Sequence, residues 1–370
     1  MRQTMTSAMG ELALIERIRA GWGTNARAAT RSVPLGIGDD CAILRPPRGH
    51  EVLVTTDFTL EGRHFRRDWH PAESVGHRAL ARGLSDLAAM GARPLAAFLS
   101  LALPADQLST RAGRLWVERF FTGLRTLADA HAVPLAGGDT AQSPSDKILA
   151  DIVLVGSAPA GRALRRSTAH PGDLLYVTGT LGGAAAELAE LELAATKPSA
   201  SSATKSGAPS IARSLRNGWD RQSRILTHPQ LFPQPRLAVG QALLGRHLAT
   251  AAIDLSDGLS SDLAHLCQES GLGAEILQTA IPIHSLALQS SPVHALDLAL
   301  NGGEDYELLF SASPATRLPR SIAGVRITRI GALARLASRS RGNTISMQDS
   351  TGRRTPLDPG GWQHFAMRQD

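Results

Sequence analysis

Six short segments of this 370-residue chain carry acidic residues in settings that suit chemistry. Asp39 and Asp40 follow Gly36 and Gly38, Asp57 follows Thr55 and Thr56, and Asp86 lies one helical turn after Arg82. Asp139 follows Gly137 and Gly138, Asp254 and Asp257 bracket Ser256, and Glu304 and Asp305 follow Gly302 and Gly303. Any one of these is an ordinary turn, because Asp bonds its own backbone and Gly accepts positive φ. Their recurrence points elsewhere. Carboxylates repel phosphate, but they reach it through Mg²⁺, a hard cation that takes oxygen ligands and bridges to substrate phosphates. Thr55, Thr56 and Ser256 add neutral oxygens. The pattern therefore implies a metal–phosphate site built from aspartates. Gly179-Thr-Leu-Gly-Gly183, between a strand and a helix, has two readings: a phosphate cradle at a helix N-terminus or a closely packed turn.

Composition narrows the routes to such a site. Lys and Arg total 39 against 33 Asp and Glu, a net charge of +6, yet lysine occurs only at Lys147, Lys197 and Lys205. None follows a glycine, so there is no P-loop, and no kinase-type Val-Ala-Ile-Lys strand is present. The arginines are scattered and aromatics are 4%, so no basic face with stacking rings for nucleic acid is visible. Cys41 and Cys267 form no zinc or disulfide pattern and read as small buried apolar side chains. The first thirty residues lack a secretory pattern, and the most apolar run, Pro94 to Leu103, is too short to span a bilayer. The expectation is a reducing, cytoplasmic setting, with no nucleic acid and no membrane as partner.

The elements that must position these residues alternate between strand and helix, which predicts an α/β fold in two domains, 1–157 and 158–370. Extended runs are expected at Glu51–Phe58, Leu95–Leu103, Val133–Gly137, Ile148–Ser157, Asp173–Thr178 and Ala251–Leu255. Apolar residues at threes and fours predict helices at Glu11–Ala20, Glu73–Met90, Ser109–His131, Gly183 to about Leu193, Pro235–His247, Gly258–Glu269 and Ala295–Leu300. Residues 195–218, with Lys197-Pro-Ser-Ala-Ser-Ser-Ala, read as a low-complexity insertion.

Gly36-Ile-Gly-Asp-Asp-Cys-Ala, Thr55-Thr-Asp57, Leu84-Ser-Asp-Leu-Ala-Ala-Met-Gly-Ala92, Gly137-Gly-Asp-Thr140, Ala252-Ile-Asp-Leu-Ser-Asp-Gly-Leu259 and Gly302-Gly-Glu-Asp-Tyr-Glu-Leu308 stand in that order. In this the chain resembles the thiamine-monophosphate kinase family of the aminoimidazole ribonucleotide synthetase superfamily, from about Gly10 to Phe365. The resemblance implies ATP-dependent phosphorylation of thiamine monophosphate to thiamine diphosphate. It implies an N-terminal domain whose sheet pairs into a dimeric β-barrel, a C-terminal α/β domain, and a homodimer. Carried over by motif, Asp40, Thr55, Thr56, Asp57, Asp86, Asp139, Asp254 and Asp257 are expected to hold several Mg²⁺ ions. Gly138, Asp139, Arg166 and Ser256 are expected to meet ATP, and His64, Glu304 and Trp362 thiamine monophosphate. Asp57, Asp139 and Arg166 are the residues expected to matter most to the chemistry. For His64 a role in fixing its loop stands beside the substrate role. Relatives in hydrogenase maturation end in a cysteine tail, and selenophosphate synthetases carry an early reactive cysteine or selenocysteine. This chain ends Met-Arg-Gln-Asp and its first cysteine is Cys41.

Overall fold

The computed structural model describes residues 10–22, 32–196, 228–336 and 345–361; most of the 195–218 insertion and Trp362 lie outside the described residues. The chain divides into two compact units, one of residues 1–84, 94–157 and 194–219, the other of residues 85–93, 158–193 and 220–370. Among the described residues no helix is long and apolar enough to cross a membrane.

The first unit holds α1 (Glu11–Trp22), β1 (His50–Leu60), residues 72–84 of α2 (Ala72–Ala89), whose last turn belongs to the second unit, then β2 (Arg93–Leu103), α3 (Arg111–Ala130), β3 (Leu135–Gln142) and β4 (Leu149–Pro159). The strands form one sheet in the order β1-β4-β2-β3. β2 and β3 run parallel, as the α3 crossover between them requires. Two glycines let α2 and α3 meet backbone to backbone. A Cβ on Gly123 would stand 1.8 Å from the Glu73 carbonyl oxygen, and one on Gly76 would stand 1.9 Å from that of Phe120. α2 is buried on every side except at Arg82 and Asp86, the two positions singled out for chemistry. A helix buried all round is locked by its packing, so these side chains leave it in fixed directions.

Two strands run further than their composition suggests. β1 continues to Leu60, so Asp57 lies within it and not at its end. β3 carries Gly137, Gly138 and Asp139 inside the strand, with Leu99 opposite Gly138 and Ser100 opposite Asp139. Gly138 has φ of 150°, and a Cβ there would lie 1.9 Å from the Leu99 carbonyl oxygen. Where a turn was expected, Gly138 thus serves close approach of backbone to backbone, and Gly137 leaves room for the Phe98 ring.

The second unit holds β5 (Leu174–Thr178), α4 (Gly183–Thr196), α5 (Leu237–Gly245), β6 (Ala251–Asp254), α6 (Leu259–Ser270), β7 (Leu272–Leu277), α7 (Pro292–Asn301), β8 (Leu308–Ala312), β9 (Ser321–Ile322), β10 (Val325–Arg335), β11 (Ile345–Gln348) and β12 (Arg354–Pro356). Its sheet has the order β12-β11-β7-β10-β5-β8-β6, with β9 on β10. β7 and β11 are parallel and the other described pairs antiparallel. β6 and β8 are buried at every residue, which is why they read as continuous apolar runs without alternation. Leu175, Val177, Ile253, Leu263, Leu266 and Leu309 belong to the core that α6 covers.

Candidate active site

In the first unit, β1 alternates its side chains between two faces. Thr55 and Asp57 share a face. Asp57 accepts from Arg82 Nε at 2.9 Å, and the Thr55 methyl lies 3.5 Å from where a Gly83 Cβ would be. Thr56 points the other way, and its hydroxyl donates to Asp151 Oδ1 at 2.8 Å. The three neighbours therefore cannot present their side chains to one ion. Gly36 packs on Ala136 at the start of β3, which brings the Asp39-Asp40 loop to that strand. There the Asp40 N–H donates to Asp39 Oδ1 at 2.9 Å, so Asp39 fixes its own loop. Beside Gly138 and Asp139 opens a cavity of about 120 Å³, walled by Ile15, Ile18, Ile37, Leu101 and Phe121. His64 sits just past β1, and its Nδ1 accepts from the Leu60 N–H at 3.0 Å, which ties the ring to the loop.

In the second unit, Asp254 ends β6 and is 3% exposed. It accepts from Ser85 Oγ at 2.8 Å. Burial, with the charge of Asp86 adding to it, pushes its carboxyl up to about 7, while the Arg166 guanidinium pulls the other way. Asp86, Asp254 and Arg166 therefore share one electrostatic neighbourhood. The next turn folds around an acid that the motif pattern did not single out. Asp262, in the first turn of α6, accepts at Oδ2 from the N–H groups of Ser256 and Asp257 at 3.1 Å and of Gly258 at 3.2 Å.

The Gly302–Leu308 segment runs against this turn. The Glu304 N–H donates to the Ser256 carbonyl at 2.8 Å, and the Tyr306 N–H to that of Leu255 at 2.9 Å. Glu304 and Tyr306 stand in the left-handed region, at φ of 67° and 49°. Such strain persists only where surroundings over-determine it, and it clusters at functional sites. The acids then part ways. Asp305 accepts from the N–H of Gly182 at 2.6 Å and of Ala184 at 3.2 Å, at the start of α4. This settles the two readings of Gly179–Gly183: its helix N-terminus already holds a carboxylate, so the turn is packed and no open phosphate cradle remains there. Glu307 takes the Thr178 hydroxyl and the Arg236 guanidinium through both oxygens. Glu304 is half-buried, and its Oε2 accepts from Gln230 Nε2 at 2.8 Å.

Among the described residues no three His, Cys, Asp or Glu side chains gather as a metal cage. Asp40, Thr55, Thr56, Asp57 and Asp139 belong to the first unit, and Asp86, Asp254 and Asp257 to the second. Asp86 and Asp254 suit a divalent cation in chemistry, since both are hard oxygen donors and the charge of Asp86 raises the cost of ionising Asp254.

The pattern has relatives. The sequence model of the AIR synthase related protein N-terminal domain matches residues 38–158. The thiamine-monophosphate kinase of Escherichia coli strain K12 is 38% identical over 364 residues, which cover 97% of this chain and 99% of that protein. The chain belongs to the thiamine-monophosphate kinase family. A solved thiamine-monophosphate kinase from Stenotrophomonas maltophilia K279a superposes with a TM-score of 0.71 at 36% identity, over 92% of this chain and 96% of that one. A structure of AaThiL complexed with AMPPCP and TMP gives 0.66 at 28% identity, over 98% and 100%. The fold is thus the mixed α/β architecture of that family.

Within the family frame, Asp262 is a built-in source of strain. Burial, with Asp254 and Asp257 repelling it, pushes its carboxyl up to about 8. The sign follows from linkage: the folded chain keeps a proton that the unfolded chain releases near pH ~4, so stability is full below that and falls as pH rises through about 8. Because its three N–H partners converge on one oxygen, asparagine can hold the turn without the charge. Asp262→Asn should therefore raise the urea midpoint at about pH 8.5 and change it little near pH ~4. A loss of stability at the higher pH, or an equal change at both, contradicts this origin of the strain.

Proposed function

We propose that the chain transfers the γ-phosphoryl group of ATP directly to thiamine monophosphate, giving thiamine diphosphate. Family membership across nearly the whole chain carries this reading, and the acidic motifs supply its chemistry. The nucleophile is a phosphate oxygen of the substrate. A phosphate monoester has a second pKa of ~6, so at neutral pH that oxygen is largely anionic and no catalytic base is required. The difficulty is repulsion between two anionic phosphates. Mg²⁺, when bound, supplies the positive charge that offsets it.

The residues proposed to hold Mg²⁺ are Asp40, Thr55, Asp57, Asp86, Asp139, Asp254 and Asp257, with Thr56 contributing its main-chain oxygen because its side chain is turned to Asp151. Arg82 holds the Asp57 carboxylate in one orientation. Gly138, Ser256 and Arg166 are proposed to meet ATP, and the apolar cavity beside Gly138 suits a purine. Arg166, whose charge acts on Asp254, is proposed to add a fixed cation near the transferring group. Glu304 faces the cationic thiazolium or the aminopyrimidine, with His64 and Trp362 as further substrate contacts. The setting is proposed to be cytoplasmic. β1 supports a homodimer: Val52, Val54 and Phe58 are 50%, 64% and 59% exposed along one face of an edge strand, an apolar stripe of the kind that a second sheet covers.

Coupled ADP release with and without thiamine monophosphate tests the activity. Asp57→Asn and Asp139→Asn are each expected to lose ~10²-fold or more in rate, through lost charge stabilisation. Near-wild-type turnover of both variants at limiting Mg²⁺, or ADP release that ignores thiamine monophosphate, defeats the reading. For the dimer, Phe58→Asp should shift the light-scattering mass from two chains to one. A wild-type monomer, or a variant that stays dimeric, removes β1 as the interface.

A further inference from the structure

Glu11, Ile15 and Ile18 follow one another at helical-turn spacing along α1, so they share one face of the helix. That face lines the cavity beside Gly138. The helix is docked on α3, where Arg17 meets Glu118 at 2.6 Å and the Arg125 guanidinium lies 5.7 Å from the Trp22 ring. All of these residues belong to the first unit. Packing alone places apolar side chains on the covered face of a helix and acids on the opposite one. At the start of α1 the order is reversed. Glu11 lines the cavity, while its neighbour Leu12 is 78% exposed. The helix dipole favours an acid in this first turn, but it does so on any face and does not select this one.

Thr140, also on the cavity wall, donates its hydroxyl to Glu11 Oε1 at 3.3 Å. A carboxylate has no proton to give, and the single proton of the hydroxyl is committed to Glu11. Both groups therefore offer a guest only lone pairs. Ile15, Ile37, Leu101 and Phe121 make the rest of the wall apolar. Such a site takes an apolar body that carries an N–H donor at one edge, since a few polar groups fix orientation in a mostly apolar pocket. Adenine fits this description through its 6-amino group. We infer that Glu11 is a specificity-determining residue, whose carboxylate accepts from the 6-amino group of ATP and selects it over a purine that lacks the amine. This rests on the reading that the cavity beside Gly138 takes the base of ATP.

The test compares kcat/KM for ATP with that for purine riboside 5′-triphosphate, which is ATP without the 6-amino group, at saturating thiamine monophosphate. The wild-type chain is expected to prefer ATP by ~10-fold or more, the scale of one hydrogen bond to a charged acceptor. Glu11→Ala should bring the two nucleotides level. Glu11→Gln, whose neutral amide oxygen still accepts, should leave an intermediate preference. Ile18→Trp, which fills the cavity from α1, tests the reading beneath. It should raise the KM for both nucleotides and leave that for thiamine monophosphate nearly unchanged. If Ile18→Trp does so while the wild-type chain shows no preference, or the Glu11 variants keep the wild-type preference, the role of Glu11 is wrong and the reading beneath it stands. If Ile18→Trp leaves the KM for ATP unchanged, the base lies elsewhere and that reading fails. A Glu11→Ala variant that loses equally on both nucleotides marks a carboxylate that only supports α1, and overturns the inference.

Discussion

A buried carboxylate that accepts backbone N–H groups is the interaction on which the second unit's site depends. Asp305 joins the start of α4 to the Gly302–Leu308 segment through the N–H groups of Gly182 and Ala184. Asp262 does the same for the Ser256–Gly258 turn. Burial pushes these acids up to about 7 and about 8, respectively, so the arrangement is unfavourable for ionised groups and is sustained by the hydrogen bonds that converge on them. Without those bonds the glycine-rich turns have no reason to adopt their left-handed conformations. Gly179 shows how tight the assembly is, because a Cβ there would fall 2.0 Å from a Glu307 oxygen.

The acids of the second unit therefore divide by what they touch. Glu187, Asp262 and Glu307 are buried, Asp305 partly so, and all four are taken up by backbone N–H, Thr178, Arg236 or His228 and shape the turns. Asp257 and Glu304 stand on the turns so shaped and are only partly buried. Asp254 spans the two roles, fully packed yet coupled to Asp86 and Arg166. Neighbouring acids that are hard to ionise belong beside a cation.

Much of this was legible beforehand where one residue's local pattern decides the outcome. The apolar run of β6 and the helical spacing of α2, α3 and α6 identify those elements, and the order of the acidic motifs identifies the family. What was hidden needed partners far away in sequence. Glu307 meets Arg236 across 71 residues, and Asp305 meets Gly182 across 123, so no local spacing announces either pair. Asp262 reads as an ordinary acid in a helix's first turn, and only the folded-back turn gives it three donors. β10 escapes a period-two reading because its register shifts between Arg329 and Gly331, and β7, β11 and β12 are short. Gly137-Gly138-Asp139 looks like a turn, because the Leu99 carbonyl that it must approach is invisible from its own neighbours.

The central claim is that these acidic turns serve a direct transfer between two phosphates, with no phosphorylated enzyme between. The most direct measurement is the stereochemical course with ATP chiral at the γ-phosphorus and thiamine monophosphate as acceptor. A single in-line displacement predicts net inversion in the thiamine diphosphate formed. Net retention would require two displacements and a phosphoenzyme, and would contradict the account.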